Sequence, residues 1–439
     1  MQRALNYDLS PALSVPLRFF LSALFFALLG TSLLLWAGPT AFSSRWTPAV
    51  LAMTHLWLLG CITLSIIGAL FQLLPVVGGR ALPLGNLYAN TILVGISGSA
   101  LLLALAFLLG ARQIFPVAAS MAGGGLLLFL VGGLQVLTSA RQPLPEGAKP
   151  MYRTLAVALG LLSLVLLGGV VNALLRSGAA SLHYWIAALG LAPAELSNTH
   201  AILGLSGWVV MVVMAVTPQV IPMFQVTEPY PPLVQRHLPL FFASFLLLWL
   251  LAVLLQGPAW LRYAAETAAL FSCAAFALVS LITLRTRKRA QADATTGFWY
   301  TALVCLLLSC LAWMAGGHNA ALTAGVLLLG FAFSAVNGML YQIVPFLIWL
   351  HAHRKAERQR PVLPKMRDII PLRSARRQCA LHTCAVVLLA CATLSPNHLT
   401  RPAAFLMLGS LLWLCLNLWK ALLVYRRALH SLAVRHAGP

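Results

Sequence analysis

"THLWLLGCITLSIIGALFQLLPVVGG", residues 54–79, is the stretch on which the fold turns. It opens on a histidine, closes on Gln72-Leu73-Leu74-Pro75, and is almost wholly apolar between. A bilayer core takes about 20 apolar residues per helix, so it reads as a membrane span. Its pattern returns twice, in "THAILGLSGWVVMVVMAVTPQVIPMF" (199–224) and "GVLLLGFAFSAVNGMLYQIVPFL" (325–347). Aligned on Gln-x-x-Pro, the pairs are Gln72/Pro75, Gln219/Pro222 and Gln342/Pro345. Twelve residues before each Gln stands Gly60, Gly207 or Gly330, and four before it Gly68, Ala215 or Gly338.

The small residue and the Gln, four apart, share one helix face. The small one lets a neighbouring backbone come close, and the Gln can bond across to another helix. The proline removes a backbone donor and kinks or ends the helix. Packing and helix termination account for the Gln and Pro positions without a ligand.

The rest of the chain agrees with a membrane reading. Its 439 residues are 61% hydrophobic and 8% charged, against about a quarter charged in soluble proteins. Mean hydropathy is +0.90. Twelve apolar stretches are found, near 17–37, 48–77, 87–110, 113–138, 152–175, 199–224, 238–256, 263–285, 297–315, 321–350, 378–395 and 402–428. The pattern falls in the second, sixth and tenth. This predicts an all-α integral membrane protein with one transmembrane domain over 1–439. Its twelve helices would form three pseudo-symmetric four-helix arcs, about 17–138, 152–285 and 297–428. The three pattern helices share a direction, and such parallel repeats suggest a rotational axis along the membrane normal.

The net charge of +21 is not a nucleic-acid signal, because Lys and Arg sit in loops. With cytoplasmic termini, 24 of the 29 basic residues fall on one side, as the positive-inside rule requires. The other side receives only Arg45, Arg112, Arg176, Arg262 and Arg401. The basic loop 351–377 is the heaviest cytoplasmic segment and suits anionic headgroups. Cys379, His382 and Cys384 cluster at the start of the eleventh stretch, but their spacing matches no strong ligand motif.

Histidines divide by side. His237, His351, His353, His382, His430 and His436 lie on the basic side and read as solvated or headgroup-facing. His55, His183, His200, His318 and His398 lie toward the outer side. His55 and His200 stand near the outer start of their spans, where ionisable residues face a bundle interior. Each is either a neutral, hydrogen-bonded histidine or a ligand to heme iron or copper. His55 is 20 residues before its proline and His200 is 22 before its own. Two positions are about 200° of helix, so the two are expected to face different interhelical spaces.

Twelve spans with a histidine at the outer end of the second resemble the large subunit of the heme–copper oxidase superfamily, especially that of nitric oxide reductase. There a heme-ligand histidine is followed by Gly-x-x-x-aromatic-x-x-Pro; here Gln72 takes the aromatic's place, with Phe71 beside it. The resemblance implies heme b or copper at His55, with His200 or His318 as a second ligand and Arg401 at heme propionates. Met53 and Met314 would suit copper(I). The departures are specific. The seventh stretch has no histidine, and Thr323 and Gly325 stand where the family's tenth span carries His-x-His. Conventional oxygen reduction is therefore not expected, and any enzyme activity would be that of another oxidoreductase. Proton pumping lacks support too, since Glu266, in the first turn of the eighth stretch, is the only carboxylate in a span.

The expected role is electron transfer, sensing or metal handling in the bacterial inner membrane. Two alternatives are a permease for a metal, heme or small neutral solute and an assembly factor contacting respiratory-chain subunits. Homo-oligomerisation is open. A permease path has little to use, because Asn90, Gln135, Asn172, Asn337 and Asn417 look scattered along the spans.

Overall fold

The computed structural model describes residues 10–83, 85–139, 143–289, 291–355 and 365–437. Among these the chain is helical throughout, with no strand. Helices α1 (Ser14–Ala37), α2 (Pro48–Gly78), α3 (Asn86–Leu109), α4 (Ile114–Thr138) and α5 (Lys149–Ser177) come first. A short α6 (Ala180–Ala188) precedes α7 (Pro193–Gln225), α8 (Pro232–Leu254) and α9 (Ala259–Arg285). The chain ends with α10 (Ala294–Ala315), α11 (His318–Lys355), α12 (Leu372–Ala392) and α13 (Pro396–Ala437).

Among the described residues, eleven helices are long and apolar enough to cross a membrane. This differs from the expected twelve. The stretch 378–395 falls on α12, whose first turns carry Arg373, Arg376, Arg377, Gln378 and, one turn on, His382, too polar for a spanning window. The basic loop is shorter than expected as well. α11 runs through to Lys355 and α12 begins at Leu372, while 356–364 lie outside the described residues.

The sequence sets the helix ends locally. Thr47 caps α2, accepting from the Val50 N–H at 3.3 Å, and Pro48 follows at the first helical position. Gly79, at φ +67°, ends α2 in the left-handed conformation that glycine adopts without penalty. The pattern prolines do not end their helices at once. α2 and α7 run three residues past Pro75 and Pro222, and α11 continues ten past Pro345.

The three pattern helices α2, α7 and α11 touch one another midway along their lengths. At the crossing, the Trp208 indole donates to the Thr63 hydroxyl at 3.1 Å. Each pattern Gln bonds to the entrance of the spanning helix before it. Gln72 reaches the Ser10 hydroxyl (3.1 Å) ahead of α1, and Gln219 reaches the Gly147 carbonyl (2.7 Å) ahead of α5. Gln342 reaches the Asp293 carboxylate (2.9 Å) ahead of α10. The Gln is thus a structural pin used three times.

Gly60, Gly68, Gly207 and Gly338 face the same preceding helices, whereas a Cβ on Gly330 would first meet Val386 of α12, at 2.8 Å. A Cβ on Gly60 would stand 2.4 Å from Cγ of buried Phe26, and one on Gly68 would stand 2.8 Å from Cβ of Phe19. At Gly338 it would meet Cβ of Phe298 at 2.7 Å. Gly207 is looser, with Leu161 and Leu246 no nearer than 3.4 Å. Gly60→Ala is therefore expected to cost about 1–3 kcal/mol through overpacking, and Gly207→Ala much less. Thermal midpoints in detergent test this; equal losses at both sites would contradict the packing described.

Candidate functional site

α2 and α7 share a departure from regular helix. Leu56–Thr63 and Leu203–Val210 are wound as π-helix. Both stretches end nine residues before the pattern Gln, at Gln72 and Gln219, and the described part of α11 has none. The first begins one residue after His55 and the second three residues after His200. Long π stretches are rare and collect at functional sites.

The two histidines meet. Their ring centres are 6.4 Å apart with 16° between planes. This corrects the expectation that they face different spaces. The π stretches add the same rotation to both helices and cancel. The reason lies in the assembly: α2 and α7 are parallel neighbours, and two such helices offer opposite sides to a cavity between them.

The ring tautomers are fixed by backbone. His55 Nδ1 lies 2.8 Å from the Leu51 carbonyl, and His200 Nδ1 lies 3.0 Å from the Val165 carbonyl. A carbonyl only accepts, so Nδ1 carries the proton and Nε2 keeps its lone pair. A backbone carbonyl holding the other ring nitrogen is typical of metal-binding histidines. Gly169 makes room for the His200 ring, because a Cβ there would stand 3.1 Å from Cε1. Phe107 flanks His55 at 5.3 Å between ring centres.

Both histidines line a cavity of about 960 Å³ at the end of the bundle away from the basic loops. Its walls are mostly apolar, with Trp57, Trp208 and Phe333 among them. Arg45, Arg176 and Arg262, three of the five outer arginines, also line it. Arg262 pairs with Glu195 at 3.3 Å. Arg176 lies over the Phe107 ring and Arg45 over Trp46, each at 5.1 Å and without a carboxylate partner among the described residues.

The other expected residues lie elsewhere. Arg401 packs its guanidinium against Gly38 and does not reach the cavity. His318 begins α11, and its side chain lies outside the described residues. Met53 is buried and lines the cavity, whereas Met314 is exposed and does not. Glu266 is two turns into α9 rather than in its first turn; it lines the cavity and accepts from the Trp313 indole. Glu195 is a second carboxylate within a spanning helix, because α7 starts six residues earlier than the apolar stretch suggested. Cys379 is buried and Cys384 exposed, and among the described residues no three His, Cys, Asp or Glu side chains converge as metal ligands.

The arginines were legible in the sequence only as outer charges. Their shared position at the outer ends of spans was the available signal. No protein-family model matches this chain, and no curated protein is similar to it.

Proposed function

We propose that the protein holds heme b in the outer cavity, through His55 and His200, as a divergent heme–copper-oxidase-like subunit of the bacterial inner membrane. The paired histidines carry the proposal. With their ring centres 6.4 Å apart, the two imidazoles would be the residues to hold one metal centre in the cavity. Both Nε2 lone pairs are available, and the cavity volume is at the upper end for a small-molecule site.

The arginines fit the same occupant. Heme carries two carboxylates on one edge, and Arg45 and Arg176 are the guanidiniums left free to pair with them. Bound heme supplies one-electron exchange, which suits electron transfer or sensing. The chain's own part is to fix the imidazoles, neutralise the carboxylates and keep water away with the aromatic walls. Copper(I) is the second reading, because buried Met53 adds a soft thioether to the cavity that holds the two imidazoles.

α12 is read here as a twelfth span. Near its start, Ser374 bonds to Asn417, which bonds to Tyr341 of α11. Just past its end, Thr393 bonds to Thr323 of α11 at 2.6 Å. Tyr341 and Thr323 are about 27 Å apart along α11 at 1.5 Å per residue, close to a bilayer core. The three equivalent Gln pins support three four-helix units with both termini cytoplasmic.

An absorption spectrum with metal analysis of the purified protein tests the proposal. A Soret band with stoichiometric iron is expected. Copper without a Soret band would select the second reading. Uptake or efflux by a protein with neither would favour a permease.

A further inference from the structure

Arg18 is the one basic residue of α1, on its second turn, at the end of the bundle that carries the basic loops. Its guanidinium donates to the carboxamide oxygens of Asn86 (3.0 Å) and Asn90, both on α3. Among the described residues it has no carboxylate partner. Two neutral acceptors therefore orient the head and leave its charge uncompensated. A guanidinium has five N–H groups, so each terminal nitrogen keeps one to give. Asn90, which looked scattered in the sequence, is exposed, and its own amide N–H groups have no partner among the described residues.

Asn90 also lines a groove of about 390 Å³ on the surface of α3 and α4. Val94 and Gly95 of α3 and Met121, Gly124 and Gly125 of α4 give it mostly apolar walls. Leu87, Val94, Leu127 and Val131, each more than half exposed, mark this surface as lipid-facing. The glycines divide by use. A Cβ on Gly95 would stand 2.9 Å from the Met121 carbonyl oxygen, and one on Gly125 would stand 3.1 Å from the Ile96 nitrogen. Both are needed for α3 to pack on α4. Gly124, and Gly123 beside it, have nothing within 4 Å of that position. Glycine there makes no contact inside the chain and weakens its helix. It leaves room for an occupant from outside.

Gly95 lies about 14 Å along α3 from its first residue, half the thickness of a bilayer core. The groove thus has the depth of one leaflet, with Arg18 at headgroup level.

We infer that this groove binds an anionic phospholipid, its phosphate on Arg18 and Asn90 and one acyl chain along Val94, Gly95 and Gly124. Arg holds phosphate through paired N–H bonds, and basic pockets between spans bind anionic headgroups. A second copy of the chain fits less well, although small residues do admit a neighbouring helix. A two-fold contact sets one patch against itself, and α1, α3 and α4 carry no Asp or Glu. Arg18 would be covered with no carboxylate opposite it, which is costly. The site is separate from the outer cavity and does not depend on the heme reading.

The test reconstitutes the full chain in phosphatidylcholine vesicles holding a minor share of phosphatidylglycerol, then releases it in mild detergent for native mass spectrometry. Wild type is expected to carry phosphatidylglycerol enriched severalfold over its share in the vesicles. Arg18→Gln removes the charge, and Gly124→Leu fills the groove with a residue that favours helix. Each is expected to return the bound lipids to the vesicle ratio. Arg427→Gln, an exposed arginine at the same end of the bundle, is expected to keep the enrichment. Wild-type lipids at the vesicle ratio, enrichment kept in a folded Gly124→Leu protein, or an equal loss in Arg427→Gln would overturn the proposal. So would a wild-type dimer that Gly124→Leu turns into a monomer with its phosphatidylglycerol unchanged, which assigns the groove to a second copy. The measurement needs no pigment, so it fails or succeeds separately from the heme reading.

Discussion

His200→Ala protein is expected to lose most of its Soret absorbance, and His55→Ala protein likewise, while His351→Ala protein keeps it. The contrast follows from where the imidazoles point. His200 Nδ1 is tied to Val165 of α5, and His55 Nδ1 to Leu51 of its own helix, so each offers Nε2 to the shared cavity. His351 uses both nitrogens on backbone carbonyls, those of Leu347 (2.9 Å) and Pro11 (3.0 Å), so it has no lone pair to offer without breaking a bond. The alanine variants leave apolar space beside Gly169 and Phe107, so the fold is expected to survive. Absorbance per protein, read with elution profiles, checks this. Equal pigment in all three variants would remove the histidines from the site.

The second large effect is one of stability. Asp293→Ala is expected to destabilise the protein by about 2–4 kcal/mol, from a lost N-cap and the buried Gln225 amide left without an acceptor, while the Gln342 amide keeps only the Thr295 hydroxyl at 3.2 Å. Asp293 caps α10 by accepting from the Thr296 N–H at 2.8 Å. The same carboxylate accepts from Gln342 of α11 (2.9 Å) and Gln225 of α7 (3.4 Å). Gln225 and Gln342 are both buried, so neither recovers a bond from water. Asp293→Asn keeps an acceptor for the cap and is expected to lose less. Thermal midpoints in detergent check the order; an alanine variant as stable as wild type would show that the knot contributes nothing.

The Gly, Gln and Pro repeat was readable because its spacing is strict and each copy does the same local work. The glutamines reach Ser10, Gly147 and Asp293 at three equivalent helix entrances. The histidines were readable as candidates, since each is costly in a span. Their convergence was not, because a helical wheel compares faces in one frame while neighbouring helices present opposite sides to each other. Arg45, Arg176 and Arg262 come from three separate segments, so nothing local marked them as one wall. The same holds for His382, buried rather than solvated, whose partner Ser334 belongs to another helix, and for Arg18, whose partners Asn86 and Asn90 do. α12 was the hardest element, because Arg373 through His382 dilute the apolar signal of a helix that packs between α11 and α13.

The central claim is that His55 and His200 act on one metal centre. Low-temperature electron paramagnetic resonance of the oxidised wild-type protein, beside His200→Ala, tests it most directly. A low-spin ferric signal in wild type that turns high-spin or vanishes in His200→Ala is the expected result. A wild-type signal that is already high-spin, or one unchanged by the substitution, would contradict it.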